Sequence, residues 1–321
     1  MATHLDLLSS VKVYGVTGAL MVLAFNGVLA SSQAPPIATF RSSIDLVRVT
    51  ATVRDHKGRF VPDLSARDFE VVDGSERRPI VDFRRDANGL SIALLFDVSG
   101  SMESRLTEAR EAAGHVLSWL DAERDEAAIF TFDTQLDEVV PFTLGLKTLP
   151  RSMSDVMPFG ATSLHDAIAQ TAGRVGRREG RRRAVVVLTD GNDNASRLRP
   201  AQVSAIASAI DVPVYIFGIV AAIDNPTADI ATSSANRSSL VGSLEDLAAW
   251  TGGRVFISSA PGERNLAARQ LVEEMRHQYI IAFESSSSPG WHPLVIRTHE
   301  RDLIVRARSG YVVGQSRPSS F

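Results

Sequence analysis

The 321-residue chain contains no cysteine. A disulfide framework, a thiolate metal site and a cysteine nucleophile are therefore excluded, as is lipid attachment through a cysteine behind a leader. A large excess of charge of one sign is also missing. The formal net charge is −3 and the sequence pI is about 6.2, so no large positive field offers itself to a phosphate backbone, and nucleic acid is excluded as a partner. No glycine-rich phosphate loop of the P-loop or dinucleotide type occurs. A G-x-S-x-G nucleophile is absent around Ser99 and Ser101, because neither has a glycine two places before it. No internal repeat is present.

Near the N-terminus an apolar stretch carries no charged residue. Lys12 precedes an apolar stretch from Val13 to Ala30, interrupted by Thr17, Asn26 and several glycines. Val28-Leu29-Ala30 before Ser31 resembles a small-residue cleavage site, and Pro35-Pro36 follows. Residues 1–33 therefore read as a secretory signal peptide or an uncleaved signal anchor, and the rest of the chain is expected outside the cytoplasm: periplasmic, secreted or envelope-associated. Membrane contact is expected only through such an anchor. The remainder, in a chain that is 44% hydrophobic and 22% charged, reads as globular, with room for one large domain and a smaller one.

Three kinds of pattern follow one another. From Ile44 to Phe83 the chain alternates apolar and polar residues, as in Leu46 to Val53, with turn signals at Asp55-His56-Lys57-Gly58 and Asp73-Gly74. From Leu90 apolar strands alternate with helical patterns. Strands are expected at 90–96, 127–132, 136–142, 184–188, 212–219 and 255–257. Helices are expected at 102–120, 164–175, 200–210, 244–250 and 266–278. After Gln278, β character returns at 279–283, 294–298 and 303–307. Residues 221–243 read as a long polar loop and 316–321 as a frayed tail. The fold class is α/β: a doubly wound, open, mostly parallel sheet over 89–278, flanked by a small β-rich module drawn from both chain ends, 40–87 and 279–314.

In such a sheet, ligands sit at the carboxyl ends of the strands. Asp97-Val98-Ser99-Gly100-Ser101 follows the first apolar strand and delivers a carboxylate and two hydroxyls at alternate positions. Gly160-Ala161-Thr162 precedes a helix, and Thr189-Asp190-Gly191 ends a buried strand. Each segment alone has a turn or helix-capping explanation. Together they bring Asp97, Ser99, Ser101, Thr162 and Asp190 to one edge, as a set of hard oxygen donors suited to Mg²⁺ or Mn²⁺.

These segments resemble the metal-ion-dependent adhesion site of von Willebrand factor type A domains. Asp97, Ser99, Ser101, Thr162 and Asp190 each match a position of that site without substitution, and the resemblance covers about residues 89–278. It implies a Rossmann-like open sheet and a metal touched by the serines and often the threonine, with the aspartates acting largely through water. A carboxylate from a protein partner completes the coordination, and no catalysis is implied. Asp68-Phe69-Glu70-Val71 and Ser309-Gly310-Tyr311 resemble flanking pieces of bacterial secreted relatives of that family.

Other motifs carry weaker expectations. His165 beside Asp166 reads as a surface or helix-start histidine, Asp193 as part of a polar loop, and Glu103 as a first-turn carboxylate. The basic run Arg177, Arg178, Arg181, Arg182 and Arg183 reads as a solvated loop before a buried strand. Arg254, Tyr279 and Trp291 read as structural. Three functions follow: an exported binding module using an Asp or Glu of a protein partner, an envelope assembly component in which the metal only steadies loops, and a metal-dependent hydrolase. The last lacks a nucleophile or general base beside the metal set.

Overall fold

The computed structural model describes residues 46–85, 89–209, 211–219, 244–258 and 261–313. All of them belong to the second of two compact units, 44–321; the other is 1–43. The expected leader at 1–33, the polar loop at 221–243 and the tail at 316–321 lie outside the described residues. No helix among the described residues is long and apolar enough to cross a membrane.

The first strand, β1, spans Leu46–Arg54, followed by β2 (Phe69–Asp73), β3 (Glu76–Arg78) and β4 (Ile80–Arg84). The alternating region then gives β5 (Leu90–Asp97), α1 (Leu106–Trp119), β6 (Glu126–Phe132), β7 (Leu136–Leu144), α2 (Leu164–Gly176), β8 (Arg182–Thr189), α3 (Pro200–Ala209), β9 (Val214–Ile219), α4 (244–251), β10 (Val255–Ser258) and α5 (Pro261–Arg276). The chain closes with β11 (Gln278–Glu284), β12 (Gly290–Thr298), β13 (Ile304–Ala307) and β14 (Gly310–Val313).

The central sheet has the order β10-β9-β8-β5-β6-β7, parallel except for the edge strand β7. All eight residues of β5 are buried, which is why its sequence is a nearly continuous apolar run. Alternate residues serve opposite faces. Leu90, Ile92, Leu94 and Phe96 join a core with α1 and α5, whereas Ala93 and Leu95 join one with α2, α3 and α4. Each fully buried large apolar side chain contributes on the order of 2 kcal/mol relative to exposure. The sheet is thus covered on both faces, the doubly wound α/β arrangement that the strand–helix alternation predicts.

Two helices start elsewhere than their apolar spacing predicts. The α1 helix begins at Leu106 rather than Met102, because Gly100–Met102 forms a 3-10 turn and the Gly100 amide bonds across to the Gly160 carbonyl at 3.1 Å. The α5 helix begins at Pro261, a residue preorganised for a first turn, and not near Leu266, which is itself exposed.

The remaining strands form two antiparallel sheets, β13-β1-β11-β4 and β14-β12-β2-β3. Both mix strands from before and after the central sheet. For example, Val49 of β1 stands opposite Ile281 of β11, and Val71 of β2 stands opposite Ile296 of β12. Their inner faces share one core, with Val49, Val53, Phe69, Val71, Tyr279, Ile281, Phe283 and Ile296. The Tyr279 hydroxyl donates to the Val61 carbonyl at 2.5 Å and accepts from the Leu64 amide at 3.2 Å, so this residue is structural, as expected. Two short strands, β3 and β14, add to those the alternation predicts.

Candidate metal centre

Parallel pairing sets the stage. Asp97, the last residue of β5, stands opposite Phe132 at the end of β6, and Phe96 stands opposite Leu188 on β8. The carboxyl ends of three strands therefore open onto one edge, where the chain makes its tight turns. The Phe132 carbonyl accepts from the Val98 amide at 2.9 Å, and the Val98 carbonyl accepts from the Phe159 amide at 2.9 Å. Together with the bond between Gly100 and Gly160, these tie the loop after β5 to the loop before α2. Gly160 and Gly191 both have left-handed backbone, with φ of +82° and +89°, which lets each loop turn sharply without a Cβ clash.

Asp97 is wholly buried. Its Oδ1 accepts from the Ser99 amide at 3.0 Å and from the Ser99 hydroxyl at 2.6 Å; its Oδ2 accepts from the Thr189 hydroxyl at 2.6 Å. Ser99 Oγ lies 3.3 Å from Ser101 Oγ. Asp97, Ser99 and Ser101 thus converge in one chain of oxygens. Ser99 and Thr162 are buried, while Ser101 is exposed and marks the solvent side. Thr162 is held from its backbone, with its amide on Asn194 Oδ1 at 2.8 Å and its carbonyl accepting from Asn194 and Ala195.

The competing explanation, that these residues cap helices, does not hold for the serines or the threonine. Ser99 makes no side-chain capping bond to the 3-10 turn, α1 has Arg105 at its N-cap, and α2 has Ser163 there, again with no side-chain capping bond. Asp190 does brace its own turn, through Oδ1 and the Asn192 amide at 3.2 Å.

Around Asp97 the hydrogen-bond donors are all neutral. Burial pushes the Asp97 carboxyl up to about 6; the Asp190 charge adds to the push, and the hydrogen bonds from Ser99 and Thr189 oppose it without offsetting it. Asp190 has a side chain only 1% exposed, and its Oδ2 lies 2.7 Å from Arg105 Nη1. Arg105 was not among the residues the motif picks out. It sits at the end of the loop that carries the serines, and only the fold turns it onto Asp190. No group of three or more His, Cys, Asp or Glu side chains arranged to hold a metal exists among the described residues. The structure brings the Asp97 carboxylate together with the Ser99 and Ser101 hydroxyls and sets Asp190 close enough for its charge to act on Asp97; these are hard oxygen donors, a chemistry that fits Mg²⁺ or Mn²⁺.

Of the neighbouring motifs, His165 lies at a helix start and Asp193 in a loop, as expected, but both are more engaged than their sequence reading implies. His165 is in the first turn of α2, but its side chain is only 12% exposed, and its Nδ1 pairs with Asp193. Asp193 is a brace: it also accepts from the amides of His165 at 3.0 Å and Ser196 at 3.1 Å. Asp166 accepts from the amides of Arg197 and Leu198. These contacts fix the 190–198 loop against α2. Glu103 is exposed in the turn before α1, outside the helix it was expected to open. The basic run is not simply solvated. Arg178 grips Glu126 through two bonds of 2.7 and 2.6 Å, and Arg181, Arg182 and Arg183 donate to the carbonyls of Arg124, Arg85 and Gly176.

Residues 91–250 match the von Willebrand factor type A domain family. An uncharacterized protein of Borreliella burgdorferi is 27% identical over 141 residues, covering 41% of this chain and 41% of that protein. The chain thus spans about two fifths of the length of the curated relative it matches. Among solved structures, an aerotolerance-related membrane protein of Bacteroides fragilis is similar with a TM-score of 0.48 and 17% identity, covering 58% of this chain and 98% of that one. A von Willebrand factor type A protein of Catenulispora acidiphila is similar with a TM-score of 0.46 and 15% identity, covering 85% of this chain and 75% of that one. The family match over the central sheet, with its strand order and the loops at its carboxyl edge, identifies residues 91–250 as a von Willebrand factor type A domain.

Proposed function

We propose that this is an exported binding protein whose type A domain holds Mg²⁺ or Mn²⁺ on Asp97, Ser99, Ser101, Thr162 and Asp190 and captures a protein or surface ligand through an Asp or Glu side chain. The observation that carries this reading is the buried Asp97 carboxylate, which receives only neutral hydroxyl and amide donors. A bound divalent ion would supply the missing positive charge and a coordination position for an acidic side chain. The chain's own part is positional. Ser99 and Thr189 orient the two Asp97 oxygens, Asn194 holds the Thr162 backbone, and the Gly100–Gly160 bond keeps the two donor loops in register. The leader-like pattern of residues 1–33 supports export, with membrane contact only through an uncleaved anchor.

Affinity capture from a cell-envelope extract, in Mg²⁺ and in EDTA, tests this reading, with the Ser99→Ala protein as control and acidic residues of the captured partner then substituted in turn. Capture should need both the cation and Ser99, and one acidic residue of the partner. Capture that survives EDTA and Ser99→Ala would sink the reading.

A second reading has its own observation. The outward face of β12 exposes Trp291 at 49% and Val295 at 53%, with Val72 of β2 opposite Val295. On that reading the paired sheets make the main contact in an envelope assembly, and the metal only steadies the loops. Trp291→Ser with Val295→Ser would then abolish capture while Ser99→Ala left it intact.

A further inference from the structure

Two of the large hydrophobic side chains on the described surface are far more exposed than the others, and both stand beside the candidate metal centre. Met157 and Phe159 are each 80% exposed, whereas the next, Ile304, is 63% exposed and lies on β13. Their exposure does not come from a loose loop. Val156 packs against the core under α1, and its carbonyl accepts from Arg110 Nη2 at 2.9 Å. Phe159 donates its amide to Val98, and Gly160 accepts from Gly100. The backbone is thus pinned at Val156, Phe159 and Gly160, and the two side chains between and beside these anchors are held outward into water.

We infer that Met157 and Phe159 form an apolar shelf beside the metal centre, so that the partner is a protein segment carrying a large apolar side chain close to the acidic one. This inference rests on the proposed metal-mediated capture and names the partner's chemistry. Holding apolar surface in water costs free energy that a binding partner recovers, and a rigid aromatic next to an adaptable thioether is a surface suited to receiving varied apolar side chains. The hydrogen bond from Phe159 to Val98 places the shelf one residue from Ser99 across the loops. In an extended segment, residues two apart point to the same side and lie about 7 Å from one another. A partner strand can therefore present its carboxylate to the cation and its apolar side chain to Met157 and Phe159 together.

The probes are two fluorescein-labelled peptides. One has a single aspartate among glycines and serines; the other adds phenylalanine two residues before and two residues after it. Anisotropy in Mg²⁺ buffer is compared for the wild-type chain and the Met157→Ser/Phe159→Ser double variant, whose substitutions lie on the surface and leave the core intact. The phenylalanine peptide should bind about tenfold more tightly than the plain one. That gain should vanish in the double variant, while Mg²⁺ binding by calorimetry and binding of the plain peptide stay unchanged. Equal affinity for the two peptides, a gain retained in the double variant, or no binding of either peptide would overturn the inference. A gain that persists in EDTA yet is lost in the double variant would uphold the shelf and overturn the metal-mediated reading beneath it.

Discussion

Two wholly buried aspartates at opposite ends of the central sheet, Asp125 and Asp97, are treated in opposite ways. At the amino end, Glu126 stands opposite Ser91 and is gripped by Arg178. Burial alone would raise its pKa, but the bonds from Arg178 and Ser91 more than offset that, so its carboxyl is held below the usual range. Its neighbour Asp125 is wholly buried, pairs with Arg276 at 2.6 Å, and accepts from the amides of Leu90 and Asp121. At the carboxyl end, Asp97 is equally buried but has only neutral donors, and its pKa rises. The first end spends its charges on holding strands and helices together. The second pairs Asp190 with Arg105 but leaves Asp97 under-compensated, an arrangement that a bound cation would complete on the reading proposed above.

The largest effect expected from this contrast is at the amino end. Asp125→Ala removes the acceptor for two backbone amides and strands Arg276, so unfolding by denaturant should show a loss of about 3 kcal/mol. A loss below about 1 kcal/mol would mean that the amino end is no better braced than the other. The next effect is on cation affinity. Because the Asp97 carboxyl titrates near 6 and a cation needs it ionised, Mg²⁺ affinity should fall by about tenfold per unit as the pH drops below 6. In the metal-free protein the sign for stability is opposite: a carboxyl raised on folding takes up a proton, so stability falls as pH rises from about 4 to 6. Affinity that is flat across pH 5 to 7 would contradict this assignment.

Asp97→Asn sharpens the comparison further. In EDTA it should change stability by less than about 1 kcal/mol, since it removes a desolvated charge and keeps an acceptor for Ser99. A loss as large as that of Asp125→Ala would make Asp97 a structural residue like those at the amino end. The smallest effect is at Arg105. Its guanidinium neutralises Asp190 in the structure and repels an incoming cation, so Arg105→Ala should tighten Mg²⁺ binding by about threefold in a calorimetric titration. Weaker binding would show instead that Arg105 positions Asp190 for the ion.

The strands and the D-x-S-x-S turn were legible in the sequence because each depends on local signals. Buried parallel strands are continuous apolar runs, as in Ala184 to Leu188, and the D-x-S-x-S turn announces its own oxygens. Sequence also placed Thr162 and Asp190 at the ends of the right elements. It did not foretell Arg105 on Asp190, because nothing local distinguishes that arginine from others near a helix start. The same holds for Arg178, whose partner Glu126 is 52 residues away. His165 does lie at a helix start, as its sequence position implies, but its burial depends on the 190–198 loop packing on α2, which no local signal encodes. The start of α1 was misplaced for a related reason: the Gly100 amide is taken by Gly160, a contact between loops that helical periodicity does not encode.

The most direct test of the account is an isothermal titration of Mg²⁺, and of Mn²⁺, into the wild-type protein and into Ser99→Ala and Asp190→Ala, each shown to be folded by circular dichroism. Saturable binding to a single site in the wild type, lost in both variants, is the predicted result. A folded wild-type protein that takes up neither ion, or variants that bind as the wild type does, would contradict it.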